Sequence, residues 1–364
     1  MEPCVPAPGL ELPVLVRRLL RAASLLERPM RTASIEALVA LIRSVDACCS
    51  MRLEGFRLKW RDVESAMRRP ASRGPARRSL ELRLRAQFDL TAGVEAQIES
   101  LEPDEICSAE FLRSLHEGFY RSWPGPVRKH EPGQLRPDPG LDLLLRQFHE
   151  VYGPIVGSGP ASLIAAAAAH YRLLWMRPFP RGNGLVARLF SHGWFIKAGV
   201  PASNLWSLSR ALARSQGVYE NVAANAMRTR RITRDGQGPL SQRYLREFCE
   251  FFLRTIIEEI EFMRQTLEPD AIERRMLGHA SACVAAGKLP GGSSLVVREL
   301  YSRGELRRGD VSGLMAVSPR TAQKVVGALV TNGFAVSPSE KGLLRPAFQA
   351  NTLEHYFPGL VTAD

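Results

Sequence analysis

Apolar residues recur at three- and four-residue spacing along most of the chain before position 290, the period of helices that bury one face. The pattern predicts helices over 12–27 and 35–53, the second stopping near Gly55. Further helices are predicted over 80–101, 103–120, 141–151, 161–176, 185–198 and 241–267. Pro103, Asp104 and Glu105 suit the opening turn of the 103–120 helix. The last helix of the series carries a stripe of Leu245, Phe248, Phe252, Ile256, Ile260 and Met263. Residues 68–78, with Pro70, Gly74 and Pro75 and no apolar period, read as a linker. Five prolines and three glycines make 123–140 an extended excursion. Strand signals are almost missing before 290.

The C-terminal stretch has a different pattern. Short helices are predicted over 271–286, 294–302 and 308–315. Ser318-Pro319 then supplies an N-cap and a first-turn proline for a helix running to about Asn332, which Gly333 ends. Residues 334–336 and 343–345 read as two short strands around a turn at 337–342. Helix, turn, helix and hairpin in that order describe a winged helix. Arg320, Thr321, Gln323 and Lys324 open its presumed recognition helix, and Lys341 and Arg345 flank the wing, a placement that suits phosphate and base-edge contacts with duplex DNA. Winged helices serve equally as dimer or protein-docking modules.

A length of 364 residues leaves room for two or three domains. At 45% hydrophobic and 24% charged, the chain is ordinary globular protein and not wholesale disorder. The net charge of +12 favours acidic partners, nucleic acid or phosphates, chiefly through association rate and salt dependence. Residues 57–85 hold ten basic against three acidic side chains, and 271–364 hold eleven against seven. A solvated helix surface accounts for such runs as well as a binding face does. Six cysteines, at 4, 48, 49, 107, 249 and 283, lack the paired spacing of a zinc site. They read as reduced thiols of a cytoplasmic protein. No signal peptide is visible at the start. The most apolar run, 162–176, is too short to span a bilayer and contains His170 and Arg172, so no membrane partner is expected.

Chemistry concentrates at Gly182-Asn183-Gly184, between a helix ending at Met176 and one starting near Leu185. Small residues at a helix start let backbone N–H groups converge, which makes an anion site. The same turn also closes ordinary helix pairs. Arg188 lies one turn into the helix, within reach of a phosphate held at its start.

The segment from Arg177 to Arg188 resembles the Fic-family motif HxFx(D/E)GNGRxxR in Phe179, Gly182, Asn183, Gly184 and Arg188. Upstream, His170-Tyr171 and the Pro178-Phe179 pair are also similar. Ser50, Glu54 and Gly55 resemble the family's inhibitory-helix motif, (S/T)xxxE(G/N). The stretch from Gly125 to Arg128 resembles the flap that presents a target side chain. Trp206 to Arg210 and the helix through Phe248 and Met263 look like segments that complete the core. This resemblance implies a mainly α fold. Its parts would be an N-terminal helical region with the inhibitory helix (1–100), a Fic (Fido) helical core with a β-hairpin flap (101–268) and the winged helix (271–350). The implied activity is AMP transfer from ATP to a hydroxyl of a target protein or of the chain itself. In the family the histidine is the general base, the acid binds Mg²⁺, the glycine turn holds phosphates and the arginines grip the phosphate chain.

Three of those parts are replaced. Arg177 stands at the base position, Arg181 at the metal-ligand position and Leu185 at the first-arginine position. A guanidinium keeps its proton to a pKa above about 12, so Arg177 cannot accept one. Losing a general base alone costs about 10²–10⁴-fold in rate. Mg²⁺ prefers carboxylate and phosphate oxygens, so Arg181 repels it and no metal site is expected. Yet Arg177, Arg181 and Arg188 carry the same formal charge that one acid, two arginines and Mg²⁺ carry in the family. The expectation is therefore a metal-free nucleotide or phosphate pocket, with ATP the implied ligand and AMP transfer impaired or lost. An active but atypical protein adenylyltransferase is the alternative. Ser50 and Glu54, four residues apart, share a helical face. The resemblance implies that Glu54 pairs with Arg188 and blocks a γ-phosphate. His116, His130, His149, His192, His279 and His355 are scattered with no nucleophile motif beside them, and His170 reads as a buried core residue.

Overall fold

The computed structural model describes residues 4–27, 32–68, 70–121, 131–228, 241–337, 339 and 342–361. The flap residues Gly125 and Arg128, along with His130 and Lys341, lie outside the described residues. The chain divides into two compact units, one of residues 1–27 and 43–261 and one of 28–42 and 262–364.

Helices make up nearly all regular structure. In chain order they begin with α1 (Glu11–Leu26), α2 (Thr32–Leu53), α3 (Trp60–Arg68) and α4 (Pro75–Gln97). The α3 helix lies where the pattern gave none, because so short a helix buries little beyond Val63 and Ala66. Pro75, read as part of a linker, instead opens α4, where a missing N–H costs nothing. The helix expected over 103–120 divides into a 3₁₀ turn (Asp104–Cys107) and α5 (Ala109–Arg121). Ser108 causes the break: its Oγ accepts the Phe111 N–H at 3.0 Å and starts a new helix.

Then come α6 (Leu141–Tyr152), α7 (Ala161–Met176), α8 (Asn183–Lys197), α9 (Leu208–Arg214), α10 (Gln216–Ala226) and α11 (Gln242–Thr266). The α7–α8 pair is the centre of the first unit. From Ser162 to Leu173 every side chain of α7 is buried, and so is every residue of α8 from Leu185 to Phe195. A helix apolar on all sides belongs inside, and the alanine run 165–169 lets its neighbours approach closely. The short loop joining α7 to α8 is thereby fixed at both ends.

The second unit holds α12 (Pro269–Ala285), α13 (Ser293–Arg303), α14 (Asp310–Met315), α15 (Pro319–Thr331) and α16 (Ala350–Tyr356). Ser318 caps α15, its Oγ accepting the Thr321 N–H at 3.3 Å. Two strands, β1 (Ala335–Val336) and β2 (Arg345–Pro346), pair antiparallel with Ala335 opposite Pro346. Leu344 falls before β2 and instead bridges to Leu306. Val311, Val325, Leu329, Phe334 and Leu344 are buried. Arg320, Thr321, Gln323 and Lys324 are exposed on the first turns of α15. Among the described residues, no helix is long and apolar enough to cross a membrane.

Candidate functional site

Arg177 caps the C-terminus of α7 in the left-handed region, at φ 47° and ψ 61°. A non-glycine residue there is strained by about 1–3 kcal/mol unless its surroundings hold it. Arg136 does so. Its N–H donates to Pro178 O at 2.9 Å, its Nε to Arg177 O at 2.9 Å and its Nη2 to Met176 O at 3.2 Å. Phe179 is buried and stacks on His116 of α5, with ring centroids 4.2 Å apart and planes within 8°. His116 Nδ1 accepts the Gly133 N–H at 2.9 Å. Burial lowers the His116 pKa to about 4, against a hydrogen bond to the Arg181 backbone that favours the charged form. It is therefore a neutral strut under the loop.

Asn183 closes the turn at two points: Oδ1 accepts the Phe179 N–H at 2.9 Å and Nδ2 donates to Phe179 O at 2.8 Å. Gly182 has φ +69°, and a Cβ there would lie 2.7 Å from the Tyr120 hydroxyl. A Cβ on Gly184 would meet Glu54 Oε1 at 2.9 Å and Arg188 Nη1 at 3.0 Å. The α8 helix starts at Asn183, so the N–H groups of its first turn have no helical partner and face outward.

Arg188 is buried, and α2 surrounds its guanidinium. Nη2 donates to Glu54 Oε1 at 2.9 Å and to Ser50 O at 3.1 Å, and Nε donates to Ser50 Oγ at 3.2 Å. Gly55, at φ +87°, turns the chain immediately after Glu54. Two further contacts fix α2. Arg43 Nε donates to Glu95 Oε2 at 3.0 Å, while Glu95 Oε1 meets His192 Nε2 at 3.2 Å. Asp46 Oδ1 accepts from Ser207 Oγ at 2.7 Å. Arg43, Asp46, Ser50 and Glu54 thus follow one face of the helix at its three- and four-residue period.

His170 is fully buried. Its Nδ1 lies 3.2 Å from the Ala187 carbonyl and 2.9 Å from Ser191 Oγ, and its Nε2 lies 2.8 Å from Tyr219 Oη. A carbonyl can only accept, so Nδ1 carries the proton and Tyr219 donates to Nε2. Burial and the nearby Arg188 charge lower the His170 pKa to about 3. Its lone pair is already engaged, so it does not replace the missing base.

These elements enclose a cavity of about 940 Å³. Its lining includes the 176–184 loop, Arg188, Glu54, Leu174, Trp175 and the α10 residues Tyr219, Glu220 and Ala223. Arg177 and Arg181 are exposed and line it. Leu185 is 1% exposed and packs into the core, so it offers the cavity no charge. The lining suits Mg²⁺ poorly: Arg177, Arg181 and Arg188 add positive charge, and the Glu54 carboxylate is already paired with Arg188. Among the described residues, no three His, Cys, Asp or Glu side chains are grouped to hold a metal ion. Sequence reasoning did not single out Arg136, Tyr120, Glu95, Tyr219 or Glu220, and it saw His116 only as one scattered histidine. They come from elements far along the chain and carry no local motif.

The arrangement has counterparts among solved structures. A Fic family protein from Desulfovibrio desulfuricans aligns over 93% of this chain and 97% of its own, with a TM-score of 0.52 at 15% identity. A Fic domain containing signaling protein from Bacteroides thetaiotaomicron aligns over 69% of this chain and 97% of its own, with a TM-score of 0.52 at 14% identity. No protein-family model matches the chain, and no curated protein matches it either. At such identities the likeness is one of fold. The chain has a mainly helical Fic fold.

Proposed function

We propose that the cavity binds the phosphate chain of a nucleotide without a metal ion, that Glu54 restrains this binding, and that AMP transfer has been lost. The observation that carries the reading is Arg188, buried beside the glycine turn and paired with Glu54 at 2.9 Å, in a cavity that Arg177 and Arg181 rim. Outward N–H groups at the start of α8 and three guanidiniums suit a polyanion. While Glu54 holds Arg188, a terminal phosphate meets a carboxylate where it needs a cation. Arg177 leaves no group at the base position that can take a hydroxyl proton.

Calorimetric titration with tripolyphosphate and with ATP, each in Mg²⁺ and in EDTA, tests the pocket. Binding is expected to be equal in the two buffers and at least about tenfold tighter in Glu54→Gly, the size of one charge-assisted hydrogen bond. Absence of binding by both proteins in both buffers overturns the reading. Transfer of radiolabelled AMP by the native protein, to itself or to a target, would instead support the atypical adenylyltransferase. Labelling only in an Arg177→His, Arg181→Asp version would fix the native protein as a pseudoenzyme. Leu185→Arg belongs in a separate variant because it buries a charge.

The second unit supports a further, regulatory role. Its order of helix, turn, helix and hairpin, with Arg320, Thr321, Gln323 and Lys324 exposed at the start of α15, suits a winged helix that docks on duplex DNA.

A further inference from the structure

We infer that the cavity selects guanine over adenine nucleotides, and that Glu220 is the residue that distinguishes them. This rests on the nucleotide reading above. The cavity also has an apolar lining of Leu174, Trp175, Ala223 and Met227, surface on which a planar base can pack. Besides Glu54, the lining holds a second carboxylate, that of Glu220, exposed on α10. Gln216 Nε2 donates to its Oε1 at 2.8 Å and orients the carboxylate. Glu54 is paired with Arg188, whereas the Glu220 carboxylate repels phosphate and suits the part of a ligand that presents donors. Guanine offers adjacent N1–H and N2–H groups, which match two carboxylate oxygens. Adenine offers an amino group beside a bare N1, whose lone pair would face the second oxygen. Cytosine has the same mismatch, and uracil presents a single N–H between two carbonyls.

Among the described residues Glu220 makes no ion pair, and Gln216 engages one of its two oxygens. Replacing it by glutamine changes the edge it reads. An amide presents one acceptor and one donor, the complement of adenine's amino group and N1.

The test titrates GTP, ATP and tripolyphosphate into Glu54→Gly and into Glu54→Gly with Glu220→Gln. In the single variant GTP is expected to bind about tenfold more tightly than ATP. In the double variant that preference should vanish or reverse, with tripolyphosphate affinity unchanged. Equal affinities for GTP and ATP in the single variant overturn the inference while tripolyphosphate still supports the phosphate pocket. A GTP preference that survives Glu220→Gln also overturns it, because another group would then be reading the base. If none of the three binds, the pocket reading falls and this inference falls with it.

Discussion

Gly182 and Gly184 flank the same asparagine, but the loop needs them for different reasons. Gly182 has a positive φ, and its Cα faces the ring of Tyr120, which His116 backs at 4.5 Å. An alanine there is strained and also strikes an aromatic ring that cannot retreat. Gly182→Ala should cost about 1–3 kcal/mol in urea unfolding. At Gly184 the added methyl would meet only the tips of Glu54 and Arg188. Gly184→Ala should therefore cost less than Gly182→Ala, and the opposite order would contradict this placement. Leu185, the next residue, faces inward. It is buried at 1% exposure, so Leu185→Arg should destabilise by about 3–5 kcal/mol through an unpaired buried charge.

Among the elements, α2 connects the site to the rest of its unit. Its polar face meets α4 and α8 through Glu95, α9 through Asp46, and α8 again through Ser50 and Glu54. Such networks are costly when partly broken. Burial pushes the Glu95 carboxyl up, but His192 and Arg43 more than offset it and leave the pKa below its ordinary 4.5. A carboxylate with a depressed pKa stabilises the fold above that ordinary value and loses the contribution as pH falls through its folded pKa. Glu95→Gln should thus lower the melting temperature near pH 7, and the two proteins should converge as pH falls below the ordinary 4.5 and through the lower folded value. A constant difference at all pH values would show that Glu95 acts through packing and not charge. For α15, Arg320→Ala and Lys324→Ala should each weaken duplex DNA binding at every sequence and reduce the salt slope by about one in fluorescence anisotropy. No change in slope would exclude these side chains from the DNA interface.

For the molecule as a whole, buried neutral histidines set the acid limit. His116 is held to a pKa of about 4 and His170 to about 3, both chiefly by burial. Unfolded, each would take a proton near its ordinary 6.5. Stability is therefore complete above pH 6.5 and declines on acidification towards those folded values, by about 1.4 kcal/mol per pH unit for each histidine. All five tryptophans, at 60, 123, 175, 194 and 206, fall in residues 43–261. Their fluorescence follows the unit that holds both histidines. The midpoint by this probe should drop steeply between pH 7 and 5, and a flat profile would mean that these imidazoles are not buried neutral.

Some of this was written locally. The helical period gives α7, α8 and most of α11, because a helix buried on all sides needs an unbroken apolar run. The spacing from Phe179 to Arg188 gives the turn, since the residues that shape it are neighbours in the chain. Very short helices such as α3 and α9 carried too few apolar positions to stand out, and Ser108 broke α5 by a single side-chain hydrogen bond. Packing alone decided the rest. Glu54 and Arg188 are 134 residues apart, Arg136 and Arg177 are 41 apart, and Glu95 and His192 are 97 apart. No local pattern encodes which distant charges will meet when helices pack. Hence the sequence determined that a glycine turn opens α8 and that Arg188 lies one turn into it. The tertiary structure decided that Glu54 pairs with Arg188, that Leu185 packs into the core, and that Glu220 lines the same cavity.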